Sequence, residues 1–190
     1  MWLLNKIITS KEIILSASKE LVRESGMSAL NIRDVAKKCD ISVGSVYNYF
    51  PSKDDLIIAT VESIWLEILA FEQGDFSKQS FEDAVKHFFE SVLRGSESYS
   101  FFLDIHAMNV MGTNKSKGRE VMNRFFGHVI RGMVISLEHD PKVSVDAFSE
   151  DFTKEAFVGF VFSNIMSLVM NRKTSCEMLL KVIHRTIYVK

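Results

Sequence analysis

Proline is almost absent from this chain, with 2 in 190 residues. Little therefore interrupts helix formation, because proline is the residue that removes a backbone donor and breaks a helix. Strict alternation of apolar and polar residues, the mark of a half-buried strand, occurs nowhere along it. The two absences together predict an all-α protein. Cysteine is equally scarce. Cys39 and Cys176 lie far apart and supply neither a metal spacing nor a disulfide framework. Both fall at apolar helical positions, where free thiols are usually buried. Excess charge is missing too: 23 Lys+Arg against 24 Asp+Glu leave a net charge of −1. That excludes a protein that coats nucleic acid regardless of sequence, which needs many Lys and Arg contacts. It leaves room for a small local basic surface. No Gly-rich phosphate loop, nucleophile motif or H-E-x-x-H zinc spacing is present, and Asp104 and His106, two apart, do not share a helical face. No enzyme activity, cofactor or metal is expected. Residues 1–8 are apolar but carry no positive leader or small-residue cleavage site, so no signal peptide is expected. The longest uncharged run, 156–170, stops short of the ~20 apolar residues a membrane span requires, and Lys154-Glu155 and Asn171-Arg172-Lys173 close it off. The expectation is a cytoplasmic protein with no membrane partner.

What is present concentrates between Leu30 and Leu56. Ile32, Val35, Ala36 and Cys39 sit at i, i+3, i+4 and i+7, one apolar helical stripe. Asn31 precedes it as an N-cap, and Asp34 falls in the first turn, where negative charge suits the helix dipole. The periodicity breaks at Asp40-Ile41-Ser42. A second short helix is expected from Val43 to about Tyr49, with Val46 and Phe50 inward. Pro51 stops it, because the residue before a proline is pushed out of the helical region. Ser52 caps a third helix that opens with Lys53-Asp54-Asp55. Two short helices joined by a tight turn make a helix-turn-helix, whose second helix enters the DNA major groove. Ser45 and Asn48 are short polar groups suited to base edges or phosphates, and Tyr47 and Tyr49 carry hydroxyls of the kind that contact phosphate. Gly44 lets the backbone come close. Lys53 adds positive charge at a helix N-terminus, an anion site in its own right. With Asn31, Arg33, Ser42 and Val43 these form the candidate DNA-binding set.

The pattern Ile32-Arg33-Asp34-Val35-Ala36, then Ile41-Ser42-Val43-Gly44-Ser45-Val46-Tyr47-Asn48-Tyr49-Phe50, then Ser52-Lys53-Asp54-Asp55-Leu56, resembles the DNA-binding domain of the tetracycline-repressor (TetR) family of transcriptional regulators, over roughly residues 10 to 60. Two positions depart from the family pattern: Asp40 stands where a turn glycine is common, and Asn31 where Thr or Ser is common. Asp tolerates the left-handed conformation better than most residues. The resemblance implies a homodimer, most often a repressor, on a palindromic double-stranded DNA operator, with a small-molecule effector and dimerisation through the last two helices.

The rest of the chain reads as helices around that unit. Ser10 caps a first helix that Gly26 stops, with Ile14, Ala17 and Leu21 inward and Lys11 and Lys19 as further phosphate candidates. The helix from Lys53 carries the seam Ile57, Val61, Ile64, Ile68 and Phe71 and should run to about Gln73-Gly74. Residues 1–56 then form a three-helix DNA-binding domain, joined by this long helix to a ligand-binding and dimerisation bundle within 57–190. Further helices are expected from Phe81 to near Gly95, from Tyr99 to Met111, from about Met122 to just before Asp140-Pro141, from about Val145 to Asn171, and over a last segment capped by Thr174 that carries Leu179, Val182, Ile183, Thr186 and Ile187. The polar, Gly-bounded stretch 112–118 is expected to be a loop.

Phe88, Phe102, His106, Met122, Phe125, Phe126 and Val129 are the candidate contacts of a pocket for an apolar or aromatic small molecule, although each alone reads as ordinary core. Asp104, His106, Asn109 and His128 are the polar groups near them in sequence. The uncharged helix over 156–170 is apolar on every side and calls for a partner to cover it. Gly159 and Ser163, four apart, allow close approach, and with the last helix they suggest a four-helix dimer bundle. Phe152, Gly159, Phe160, Ser163, Leu179 and Ile183 are the candidate dimer interface. Two other readings compete: a DNA-binding regulator without ligand control, and a helical protein-interaction module. The second leaves the pattern from Ser42 to Leu56 unexplained.

Overall fold

The computed structural model describes residues 9–70, 80–99 and 115–188, and every regular element among them is helical. Eight α-helices follow in order: α1 Lys11–Ser25, α2 Ile32–Lys38, α3 Val43–Tyr47, α4 Lys53–Ala70, α5 Phe81–Ser98, α6 Lys115–His139, α7 Lys154–Met170 and α8 Glu177–Ile183. A 3₁₀ turn, Met27–Ala29, separates α1 from α2, and a π-helical turn, His184–Tyr188, extends α8. The chain divides into two compact units: Met1–Leu66 with Ser98–Val121, and Glu67–Glu97 with Met122–Lys190. The division falls within α4, before the last residue of α5, and within α6, and the boundary read from sequence at Leu56 lies inside the first unit.

In the first unit the ends of the helices follow from single residues. Ser10 caps α1 by accepting from the Ile13 N–H, and Gly26, at φ 78°, turns the chain out while its N–H returns to Val22 O. That left-handed backbone is open to glycine without a Cβ penalty. Asn31 caps α2 by accepting from the Asp34 N–H at 3.0 Å. At the far end of α2, Asp40 sits at φ 54°, the Asp40 N–H bonds Lys37 O and the Ile41 N–H bonds Ala36 O. This is a Schellman motif, so Asp40 takes the left-handed role that its sequence position calls for. Ile14, Val22, Leu30, Val35, Val46 and Leu56 are fully buried, and they hold the three short helices at fixed angles. α3 is shorter than the period suggests. It ends at Tyr47, and the Tyr49 and Phe50 N–H groups continue as turns onto Val46 O. Cys39 is half-buried rather than buried, and Leu21 is likewise half-buried.

In the second unit, α5 buries Phe81, Ala84, Val85, Phe88, Phe89 and Val92 along one face and runs past the expected stop at Gly95 to Ser98. Gly95 is there for closeness: a Cβ would lie 2.6 Å from Ile68 Cγ1 and Cδ1. α7 buries Phe157, Val158, Val161, Phe162, Ile165, Met166 and Val169. Phe162 meets Phe88 and Phe126 with ring centroids 5.9 and 5.2 Å apart.

Further sequence expectations are corrected. α7 begins at Lys154, not near Val145: Thr153 caps it by accepting from the Ala156 N–H, and Ser149 and Phe152 close a turn on each other in front of it. Ser149 and Asp151 there offer the backbone alternatives to the helix. The last helix is not capped by Thr174. α7 ends in a Schellman turn with Arg172 at φ 53° and the Lys173 N–H on Leu168 O, and Ser175 then accepts from the Glu177 N–H. Lys115 to Gly118, read as loop, already belong to α6. Val182, expected inward, is 41% exposed. Tyr99 is buried outside any helix, its ring under the Arg23 guanidinium and its hydroxyl accepting from Nη2 at 2.6 Å. The rest of the helix expected to Met111, together with Phe71, Phe102, Asp104, His106 and Asn109, lies outside the described residues.

Candidate functional site

α2, the turn at Cys39–Ser42 and α3 form the helix-turn-helix. Its buried side is Ile32, Val35, Ala36, Val46 and Phe50. The side chains left on its outer face decide what it can bind. Tyr47 is 48% exposed, and Ser42, Val43, Gly44 and Asn48 are exposed with it. A Cβ on Gly44 would meet only Ser42 Oγ, at 3.7 Å, so the backbone there is open to a close approach. Arg33 and Lys53 are exposed, and among the described residues neither has a partner. Lys37, one turn on from Arg33 along α2, is exposed as well.

Other candidates are already engaged. Asn31 spends Oδ1 on the α2 cap and Nδ2 on Ala29 O and Asp34. Ser42 caps α3 through the Ser45 N–H at 3.0 Å, and the Ser42 and Ser45 hydroxyls bond each other at 2.8 Å. Tyr49 donates to Thr9 O at 2.7 Å and so ties the segment before α1 to the end of the motif. Ser52 caps α4 through the Asp55 N–H. Lys38, on the last turn of α2, is held between Glu20 and Glu24. Lys11 lies over the Phe50 ring. These contacts position the motif and leave Arg33, Lys37, Tyr47, Asn48 and Lys53 outward among the described residues.

The second unit contains a cavity of about 200 Å³, lined by Leu69 of α4, Ala84 and Phe88 of α5, and Val129, Gly132, Met133 and Ser136 of α6. Of the sequence candidates it brings in Phe88 and Val129. Phe126 backs it through Phe162, and Phe125 packs on Phe126 with centroids 5.7 Å apart. Met122 is half-buried and His128 is exposed, its Nδ1 at 2.7 Å from Arg124 O; neither lines the cavity. Sequence reading missed Leu69, Ala84, Gly132 and Ser136 as lining residues. The signal was there on α6, where Val129, Met133 and Ser136 fall at i, i+4 and i+7 on one face. Ser136 is 3% exposed and its Oγ has no hydrogen-bond partner. A buried hydroxyl left unpaired costs roughly 1–3 kcal/mol.

α7 and α8, with the turn before α7, also carry exposed apolar residues. Phe160 is 52% exposed, Met178 74% and Val182 41%, with Met170 and Phe152 also exposed. The polar residues among them turn inward onto their own helix: Ser163 donates to Gly159 O and Asn164 to Phe160 O. Leu179 and Ile183, expected at an interface, are instead buried against their own chain, because the stripe Leu179-Ile183-Ile187 faces the bundle core. No helix among the described residues is long and apolar enough to cross a membrane, and none of them form a cluster suited to a metal ion.

The family described as bacterial regulatory proteins, tetR family, matches residues 14–60. The HTH-type transcriptional regulator YuxN of Bacillus subtilis is 24% identical over 49% of this chain and 34% of its own length. The HTH-type transcriptional repressor KstR of Rhodococcus jostii is 40% identical over 25% of this chain and 23% of its own. The chain thus spans a minority of either relative's length. A transcriptional regulator from Rhodococcus sp. Rha1 shares the fold, with a TM-score of 0.67 over 96% of this chain and 100% of its own, at 15% identity. The family match begins at Ile14, takes in the turn at Asp40 and the α3 face, and ends inside α4: residues 14–60 match the tetR family of bacterial regulatory proteins, and the chain as a whole shares its fold with the Rhodococcus protein.

Proposed function

We propose that this protein is a homodimeric, sequence-specific DNA-binding transcriptional regulator, acting as a repressor that a small apolar effector releases from its operator. The observation that carries the reading is α4, a helix of 18 residues. It starts at Lys53, just past the recognition helix α3, and Leu69 near its other end forms part of the cavity wall. One continuous element therefore joins DNA-facing groups to a ligand-sized space. Two copies related by a twofold axis present two recognition helices, which suits a palindrome with half-sites about 34–36 Å apart. KstR, similar over 48 residues, is named a repressor, which agrees with this direction of control. The exposed apolar residues of α7 and α8, too large to face water together, fit the dimer contact.

The test is selection of bound duplexes from a random pool by the full chain. A single palindrome with that spacing is the expected product. Recovery of unrelated sequences with a steep common salt dependence means that phosphate attraction alone drives binding, and the reading fails.

A further inference from the structure

The cavity on α4, α5 and α6 has a narrower chemistry than a generic apolar pocket. Its described lining residues are Leu69, Ala84, Phe88, Val129, Gly132, Met133 and Ser136. None is charged, so an ionised ligand would lose its water without a counter-charge, a heavy penalty. An apolar cavity of ~150 Å³ accepts benzene; at about 200 Å³ this one accommodates a single ring with a small substituent. One polar atom remains. Among the described residues, two other buried helical hydroxyls return to the carbonyl four residues back, Ser18 to Ile14 O at 2.8 Å and Thr60 to Leu56 O at 2.7 Å, and a third, Ser91, accepts from Arg94 Nη2 at 2.9 Å. Ser136 does neither, although the carbonyl four residues back belongs to Gly132, and its Oγ stays unpartnered while shut off from solvent. A hydroxyl both donates and accepts, so it can meet a hydroxyl or a carbonyl.

We infer that the effector is a small neutral molecule, about one aromatic ring in size, carrying one hydroxyl or carbonyl oxygen that pairs with Ser136. The inference rests on the cavity being the effector site. Ser136 sets which ring-sized molecules are taken, and the apolar wall sets how large they are.

The experiment is calorimetric titration of the whole chain with 4-ethylphenol and with ethylbenzene, which differ by the hydroxyl alone. The wild type should bind the phenol roughly tenfold more tightly, the worth of one hydrogen bond in such a site. Ser136→Ala should bring the phenol down to the hydrocarbon's affinity and leave ethylbenzene unchanged. Gly132→Phe should block both probes. A Cβ at Gly132 meets nothing within 4 Å, so the backbone leaves room for a side chain to start there, and a thermal melt checks that the variant folds. Equal affinities of the two probes for the wild type, both lost in Gly132→Phe, overturn the Ser136 anchor and leave the effector cavity standing. Binding of neither probe to the wild type overturns both.

Discussion

Asn31, Ser42 and Ser52 each give a side-chain oxygen to the backbone of the helix that follows. An N-cap of this kind is worth about 1 kcal/mol, and a side chain so used is poorly placed to read bases as well. The discriminating work therefore falls on free groups. Arg33→Ala is expected to relax preference at one position per half-site and cost roughly 1–3 kcal/mol of specific binding. Lys53→Ala should weaken every sequence alike and flatten the salt slope. Binding isotherms on operator and scrambled duplexes at several salt concentrations distinguish the two. Equal losses on all sequences for both variants mean that Arg33 touches phosphate only. Asp40 gives a second residue-level expectation. At φ 54° it bears part of the cost that glycine avoids, so Asp40→Gly should stabilise the domain by up to about 1 kcal/mol. A urea midpoint that falls instead would show that the Asp side chain itself holds the turn.

Among the elements, the start of α5, the end of α6 and the turn after α8 meet at Asp140. Its carboxylate accepts from the Phe81 N–H at 2.7 Å, from the Lys142 N–H at 2.9 Å and from the Tyr188 hydroxyl. Burial pushes this carboxyl up, but the hydrogen bonds from Tyr188, Phe81 and Lys142 outweigh it and hold the group below the ordinary carboxylate range. For Tyr188, burial first and the Asp140 bond second push the hydroxyl well above its usual range, so it stays a donor. A depressed carboxyl favours the folded state when ionised. Its contribution is complete above the unfolded value of about 4 and is lost as pH falls through the lower folded value. Asp140→Asn is expected to cost about 2–3 kcal/mol near neutrality, and the gap to wild type should close in acid. A gap constant down to pH 2 would assign the loss to shape and not to charge. Almost nothing in the sequence announced this knot, because Asp140, Phe81 and Tyr188 are far apart in the chain. The first domain was legible for the opposite reason. Its caps and stops, Ser10, Gly26, Asn31, Asp40 and Ser42, act on residues within a turn of themselves. The start of α7 was misread because Val145, Phe148 and Phe152 carry an apolar period that Thr153 interrupts only through its cap. The cavity was half legible: the Phe and Met content pointed to α5 and α6, and Ser136 falls in register with Val129 and Met133, but Gly132 lines it by being small, and smallness leaves no periodic signal.

At the scale of the whole molecule, two linked expectations follow. The first is assembly: Phe160→Glu places a charge on an exposed apolar position of α7 and should yield a helical monomer in sedimentation, with operator binding lost because a single recognition helix spans one half-site. A dimer that survives this change, and Met178→Glu as well, has its interface elsewhere. The second is coupling. If the effector fits the cavity better in one orientation of α4, its binding shifts the dimer toward that orientation, by no more than its difference in affinity for the two. A tilt of α4 carries α3 with it, and two recognition helices that no longer match the half-site spacing lose simultaneous contact. A hundredfold fall in operator affinity needs a coupling of only ~2.7 kcal/mol, a size that the difference between a filled and an empty cavity wall can supply. Linkage then requires that operator DNA weaken the effector by the same factor. Titrating 4-ethylphenol, or a tighter ligand found by screening, into the dimer with and without saturating operator should give affinities differing by the factor measured for DNA release. Identical affinities in the two titrations, with DNA binding intact, would leave the cavity a binding site without control over the operator, and the protein a constitutive DNA binder.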